Sequence, residues 1–374
     1  MKRRNLLNLL CAGTLALASC GGNGDTPSES NTADSANKEM KEAKENNPLK
    51  PKGPKPEWAP QIHDEMAVVM EKLASLGGKP IETLTAAEAR QQPTPTDAVK
   101  AVMAEHSIPT PPMGCDTMSK EVAPGVQARI YTPKPATANM PVIVYYHGGG
   151  WVIADNNVYM ASAQGMCEQT GAVVVSVEYR KGPENKFPAA HMDAFAAYQW
   201  VLQNAGSLGA DAKKIALVGE SAGGNLACNV SIMARDKKIQ MPLYQVLVYP
   251  VAQADMNTAS YQKNSMAKPL NKAMMEWFTK MYLPSMATAQ DPRISLVKAN
   301  LKGLPPTTII TAEIDPLHDD GMMLSEKLKE AGVTVNFKNY DGVTHEFFGM
   351  AAVVPEAKDA QSVAAGDLKG AFGK

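Results

Sequence analysis

Apolar positions change rhythm along this chain. From Trp58, "WAPQIHDEMAVVMEKLASLG" and "TDAVKAVMAEH" carry apolar residues three and four apart, with a proline-bearing break between them. They predict a small helical layer within residues 58–125. From Val126 the period shortens. "VQARIYT", "PVIVYYH", "AVVVSVEY", "KIALVG", "YQVLVYP", "PTTIITAE" and "TVNFKNY" are short runs rich in β-branched and aromatic residues, as strands require. Helical patterns such as "MDAFAAYQWVLQNAG" and "GMMLSEKLKEAG" lie between most of the later ones. Strands alternating with helices predict an α/β domain over residues 126–374, with a mainly parallel central sheet and helices on both faces. One gap breaks the alternation. The stretch between "VLVYPV" and "PPTTIITAE" is too long for a plain crossover, and its "NKAMMEWFTKMYL" reads as a Met/aromatic helix inserted within about residues 255–292. No internal repeat is visible.

The first residues follow a different logic. Lys2, Arg3 and Arg4 form a positive head before "NLLNLLCAGTLALAS", an apolar stretch too short to span a bilayer comfortably. It ends in "LASC", which resembles the lipobox of bacterial lipoproteins. That resemblance implies a signal peptide over 1–19, a lipidated Cys20 and a protein held to a membrane outside the cytoplasm, with a plain secretory signal as the alternative. Residues 20–57 are mostly Ser, Thr, Asn, Asp, Lys, Glu and Pro. Such a composition predicts a disordered tether that contributes nothing to a pocket.

Charge and cysteine usage narrow the picture further. The formal net charge of the 374-residue chain is −1, which argues against nucleic acid as a partner and against a broadly basic membrane-binding face. Hydrophobic residues make up 44%, enough for one large core plus an appendage. Apart from Cys11 and Cys20, the cysteines are Cys115, Cys167 and Cys228. An odd number excludes a full disulfide framework, although one bridge is permitted, and no Cys or Cys/His spacing suggests a metal site. Small buried thiols are expected. Nothing fixes an oligomeric state.

Four stretches carry chemistry. In "LVGESAGGNL", Leu217 to Leu226, a strand-like run breaks at Ser221 between glycines and resumes as a helix. A nucleophile elbow has that form, because small neighbours let another element and a substrate approach the serine closely. In "YYHGGGW" three glycines follow a buried strand, where N–H groups of a glycine loop can face an oxyanion. It lacks the ending of a phosphate-binding P-loop. "EIDPLHDDG" brings four acids, Glu313, Asp315, Asp319 and Asp320, to the end of a strand. A carboxylate there can orient a catalytic imidazole, but residue type alone does not separate the four, and two suit helix capping. "YDGVTHEFFGM" sets His345 in a loop after the last strand.

"HGGGW", "GESAGGN", "DPLHDDG" and "GVTHEF", in that order, resemble the hormone-sensitive-lipase branch of the α/β-hydrolases and its bacterial esterases. The order Ser221, Asp315, His345 is that of a triad in this fold. The resemblance runs from about Trp58 to Phe348 and implies the α/β-hydrolase fold with a helical cap. Position by position, it makes Ser221 the nucleophile, His345 the general base and Asp315 the acid that orients it. Gly148, Gly149 and Ala222 become the oxyanion donors, while His147, Tyr179, Arg180 and Asp193 are scaffold. No metal and no organic cofactor is implied. The expected activity is hydrolysis of small short-chain esters, acetyl above all, through an acyl-enzyme. Acetylated carbohydrate is an attractive natural substrate for an anchored enzyme. The rival readings are a surface lipoprotein that binds an ester or glycan without turnover, and an amidase or peptidase on the same fold. Two departures stand out. Glu220 replaces an aspartate common in the elbow, a change expected to be harmless, and Glu346 stands where glycine is frequent, as a carboxylate that would either perturb the base or recognise a polar substrate.

Overall fold

The computed structural model describes residues 49–110 and 112–373. The expected signal segment 1–19, the lipidated Cys20 and the tether up to residue 48 lie outside the described residues. Eight strands form one sheet in the order β1-β2-β4-β3-β5-β6-β7-β8. The strands are β1 Cys115–Ala123, β2 Val126–Pro133, β3 Met140–Tyr146, β4 Val173–Glu178, β5 Ala210–Glu220, β6 Gln245–Val248, β7 Thr307–Ile314 and β8 Val335–Thr344. From β4 to β8 every neighbouring pair is parallel. The first two strands are antiparallel to their neighbours.

The strand pattern explains why the sheet is covered on both faces. All seven residues of β3 are buried. Val142, Val144 and Tyr146 enter one apolar cluster, while Ile143 and Tyr145 enter the other. A strand with two buried faces reads as a continuous apolar run, and its alternate residues belong to opposite layers. One layer holds α5 Ala189–Asn204, α6 Ala222–Asp236 and α9 His318–Glu330. The other holds α1 Asp64–Ser75, α3 Pro95–Glu105, α4 Met160–Thr170 and α10 Pro355–Phe372. The expected insertion contains α7 Ala259–Lys263, α8 Lys272–Tyr282 and a 3₁₀ turn, Met286–Gln290. A short α2, Ala86–Ala89, precedes α3. The three cysteines are free and buried.

Two boundaries differ from the sequence expectation. The segment 58–125, expected to be helical, ends in strand β1. Six consecutive residues of that strand are exposed, so it carries no apolar alternation, and its order comes from the backbone ladder to β2. The expected tether 20–57 is also too long at its end. Leu49 is buried in the core, and the N–H groups of Lys52 and Gly53 donate to the two carboxylate oxygens of Glu71 on α1, at 2.9 and 2.8 Å. Residues 49–57 are a strap on the folded domain. Prolines at 51, 54 and 56 restrict this chain before it docks, which lowers the entropy lost on ordering it.

Candidate active site

The elbow is built by close backbone approach. Ser221 lies between the end of β5 and the start of α6 with φ 56° and ψ −119°, a strained conformation for a residue with a side chain. Its N–H donates to Val248 O at 2.8 Å, which ties the turn to β6. A Cβ on Gly223 would stand 2.0 Å from the carbonyl oxygen of Tyr146. No side chain fits there, and that glycine is what lets α6 start directly behind the strand ends.

His345 follows β8 and closes the line. Its Nε2 lies 3.0 Å from Ser221 Oγ, and its Nδ1 lies 2.6 Å from Asp315 Oδ2. All three residues are buried. Asp315 Oδ1 accepts the Leu317 N–H at 2.8 Å, fixing the carboxylate plane. Burial disfavours a charged imidazole, but the charge and hydrogen bond of Asp315, followed by Glu346 and Glu220, outweigh it and leave His345 above its ordinary pKa. The four acids of the "EIDPLHDDG" loop are thereby told apart. Asp320 accepts the backbone N–H groups of Ala252 and Gln253, Asp319 accepts that of Ser260 in the first turn of α7, and Glu313 accepts that of Gly342. Of the four, Asp315 alone reaches His345.

The glycine loop turns directly after β3, with φ 93° at Gly149, 58° at Gly150 and 59° at Trp151. Gly148 packs against Ser221: a Cβ there would sit 3.1 Å from that of the serine. Ala222 is the first residue of α6, where an N–H has no intrahelical acceptor. His147 braces this loop from below. Its ring stacks on Tyr179 with centroids 4.3 Å apart, and the Tyr179 hydroxyl donates to the carbonyls of His147 and Gly148 at 2.8 and 3.1 Å. Arg180 pairs with Asp193 at 2.6 Å, on the scaffold.

A cavity of about 820 Å³ opens onto Ser221, His345 and Gly149. Both segments expected to cover a pocket line it, through Met70 of α1 and through Met274, Met275 and Phe278 of α8. Pro54 and Pro56 of the strap line it too, contrary to the expectation that the tether contributes nothing to a pocket. A Cβ on Gly150 would fall 2.2 Å from the Phe278 ring, so the glycine loop and α8 meet without space for a side chain.

Both departures belong to a second polar layer whose tyrosine partners the sequence does not reveal. Glu220, buried under the elbow, accepts the hydroxyls of Tyr145 and Tyr249. The Tyr249 ring lies 4.4 Å from that of His345. Glu346 accepts the hydroxyl of Tyr159 at 2.5 Å. The departures at Glu220 and Glu346 were the only signal of it.

The profile of the α/β-hydrolase fold family matches residues 143–349, which include the glycine loop, the elbow, the acidic loop and His345. The chain belongs to this family. Carboxylesterase NlhH of Mycobacterium tuberculosis is 37% identical over 251 residues, 66% of this chain and 79% of its own length. Ethyl acetate hydrolase of Pseudomonas putida is 33% identical over 285 residues, 75% of this chain and 88% of that enzyme. Among solved α/β-hydrolases, a thermostable esterase from Pseudomonas putida superposes with a TM-score of 0.76 at 31% identity, covering 84% of this chain and 98% of its own.

Proposed function

We propose that this carboxylic ester hydrolase works through Ser221 as nucleophile, His345 as general base and Asp315 as the acid that orients it, and that it prefers short acyl groups, acetyl above all. One observation carries the reading: His345 bridges Ser221 Oγ at 3.0 Å and Asp315 Oδ2 at 2.6 Å in a buried, continuous line. As Ser221 Oγ bonds to the ester carbonyl carbon, its proton passes to His345 Nε2. The N–H groups of Gly148, Gly149 and Ala222 stabilise the oxyanion. Collapse of the intermediate expels the alcohol, which takes the proton from His345, and water then releases the acid by the same steps in reverse roles. Names among the relatives, such as ethyl acetate hydrolase, support a small acyl group. The cavity, about 820 Å³, is far larger than an acetyl group, so an acetyl ester leaves most of it to the alcohol. A bulky alcohol such as a carbohydrate fits this division.

The enzyme is further proposed to be exported and anchored through lipid on Cys20, on the strength of "LASC" after a short apolar segment. Aryl esters of increasing chain length, run with wild type and Ser221→Ala, test the catalytic reading. Turnover falling with acyl length, and a loss of about 10⁴-fold or more in Ser221→Ala, is the expected result. Wild-type turnover in that variant, or a rate rising towards long acyl chains, would overturn the nucleophile or the acyl preference respectively.

A further inference from the structure

Glu346 follows His345 directly, in the left-handed region at φ 71°, with its side chain on the cavity wall. Its Oε1 accepts the hydroxyl of Tyr159, a residue 187 positions earlier at the start of α4. That hydroxyl lies 2.2 Å from the point a Cβ on Gly148 would occupy, and the same point is 3.1 Å from Ser221 Cβ. The carboxyl–phenol pair is therefore wedged between base, nucleophile and glycine loop. It uses a non-glycine residue in an unfavoured backbone region to get there, and such strain persists only where the surroundings impose it.

We propose that Glu346 is a positioning residue for the base: its carboxylate, fixed by the Tyr159 hydroxyl, favours the imidazolium form of His345 and thereby assists removal of the Ser221 proton. The proton leaves Oγ as the bond to the ester carbon forms, and it arrives on Nε2. The resulting positive charge is stabilised by Asp315, bonded at Nδ1, and by the charge of Glu346. A fixed carboxylate next to that developing charge acts without reorganisation, in a site where water screens little.

The other groups around His345 are consistent with this role. Asp315 faces it from the loop after β7, Ser221 and Glu220 from the elbow, and the Tyr249 ring from the end of β6. Burial pushes Glu220 up to about 7, against the hydroxyls of Ser162, Tyr145 and Tyr249. Burial also raises Glu346, opposed by His345 and then by the Tyr159 hydrogen bond, both of which favour its ionised form. Four cations line the cavity, Lys79, Arg90, Lys181 and Lys268; of these Arg90 is engaged by Glu184 and Lys181 by Glu178.

The inference rests on Ser221 as nucleophile and His345 as base, so both are tested together. In the full-length enzyme, kcat/KM for a soluble acetyl aryl ester rises with pH as His345 loses its proton. An ionised Glu346 places that rise at higher pH. Glu346→Gln should therefore move the acidic limb to lower pH, by about half a unit to one unit. Glu346→Asp keeps the charge but draws it back from Tyr159, so its limb should fall between those of wild type and Glu346→Gln. Tyr159→Phe leaves the carboxylate without its donor and should move the limb in the same direction, with Glu346→Gln/Tyr159→Phe going no further than Glu346→Gln. A superimposable limb in folded, active Glu346→Gln would overturn the proposal, as would a limb moved to higher pH. So would an unmoved limb with KM raised only for hydroxylated or cationic esters, since Glu346 would then be a substrate contact. Ser221→Ala separates the two levels. If it is inactive while the limb of Glu346→Gln does not move, only the role of Glu346 fails; if it retains turnover, the catalytic reading beneath it fails.

Discussion

The floor and the roof of the cavity are held by different kinds of bond. On the floor, Ser221, the glycine loop and Asp315 sit at the ends of parallel strands, fixed by the ladder and by contacts too close for a side chain, as at Gly223. The roof is stitched by side chains. Arg90 donates to the carbonyls of Val152 and Gly182 at 2.8 and 2.7 Å, Trp277 Nε1 donates to Leu84 O at 3.0 Å, and Glu71 holds the strap. A ladder opens only with the domain, whereas a stitched element can loosen alone. The proposed chemistry therefore lies in the half held by the ladder, and much of the cavity wall in the half that single substitutions can alter.

The largest effect expected is on the floor. Asp315→Asn should lower kcat by about 10⁴-fold, because an amide in that position no longer holds the imidazole in the right tautomer. Asp320→Asn should retain most activity, since an amide oxygen can also accept the two backbone N–H groups that Oδ2 serves, and the Gln253 amide that donates to Oδ1 can turn to accept instead. The ranking of the two kcat values checks the assignment. Stability gives the next effect. Gly223→Ala forces a Cβ against the Tyr146 carbonyl, and overpacking of this kind costs about 1–3 kcal/mol, with the β3 loop displaced. Denaturant melts should show a lower midpoint, and an unchanged midpoint would mean that the elbow is less constrained than its contacts imply.

The same contrast governs what the sequence made legible. β3, β5 and β7 are apolar runs because both their faces are buried, and the elbow and glycine loop declare themselves by residues that cost stability elsewhere. Edge strand β1 is invisible to that reasoning, since "CDTMSKEVA" is ordered by pairing rather than by burial. The strap was hidden for a related reason: it docks through prolines, Leu49 and two backbone N–H groups, and its composition is that of a linker. Asp315 could be told from its three neighbours by resemblance alone, because the difference lies in which donors each carboxylate meets. The Glu346–Tyr159 pair joins residues 187 apart, and no local pattern brings them together.

On the roof the effects should be smaller and of another kind. Glu71→Ala removes the acceptor for both strap N–H groups, bonds to a charged group but partly exposed, together worth about 1 kcal/mol. KM for an ester of a bulky alcohol should change by about fivefold, while kcat for an acetyl ester of a small alcohol stays near wild type. Equal changes for both substrates would mean that the roof takes part in chemistry, and no change for either would mean that the strap is not a wall in solution.

The smallest kinetic effect belongs to the proposed anchor, and it sharpens where the enzyme begins. Cys20→Ser removes the thiol that would carry lipid, so the protein should leave the membrane fraction with its kinetics on soluble esters unchanged. Removal of residues 1–48 should do the same, because the described pocket wall starts later, at Pro54. Removal of residues 1–57 should not. It deletes Leu49 from the core, frees the Glu71 carboxylate and takes Pro54 and Pro56 from the wall, so KM for bulky esters should move as it does in Glu71→Ala, or further. Fractionation and kinetics on the three proteins read the two claims separately. Detergent-dependent extraction of Cys20→Ser would place the anchor elsewhere, and identical KM values for the two truncations would remove the strap from the pocket while leaving the anchor untouched.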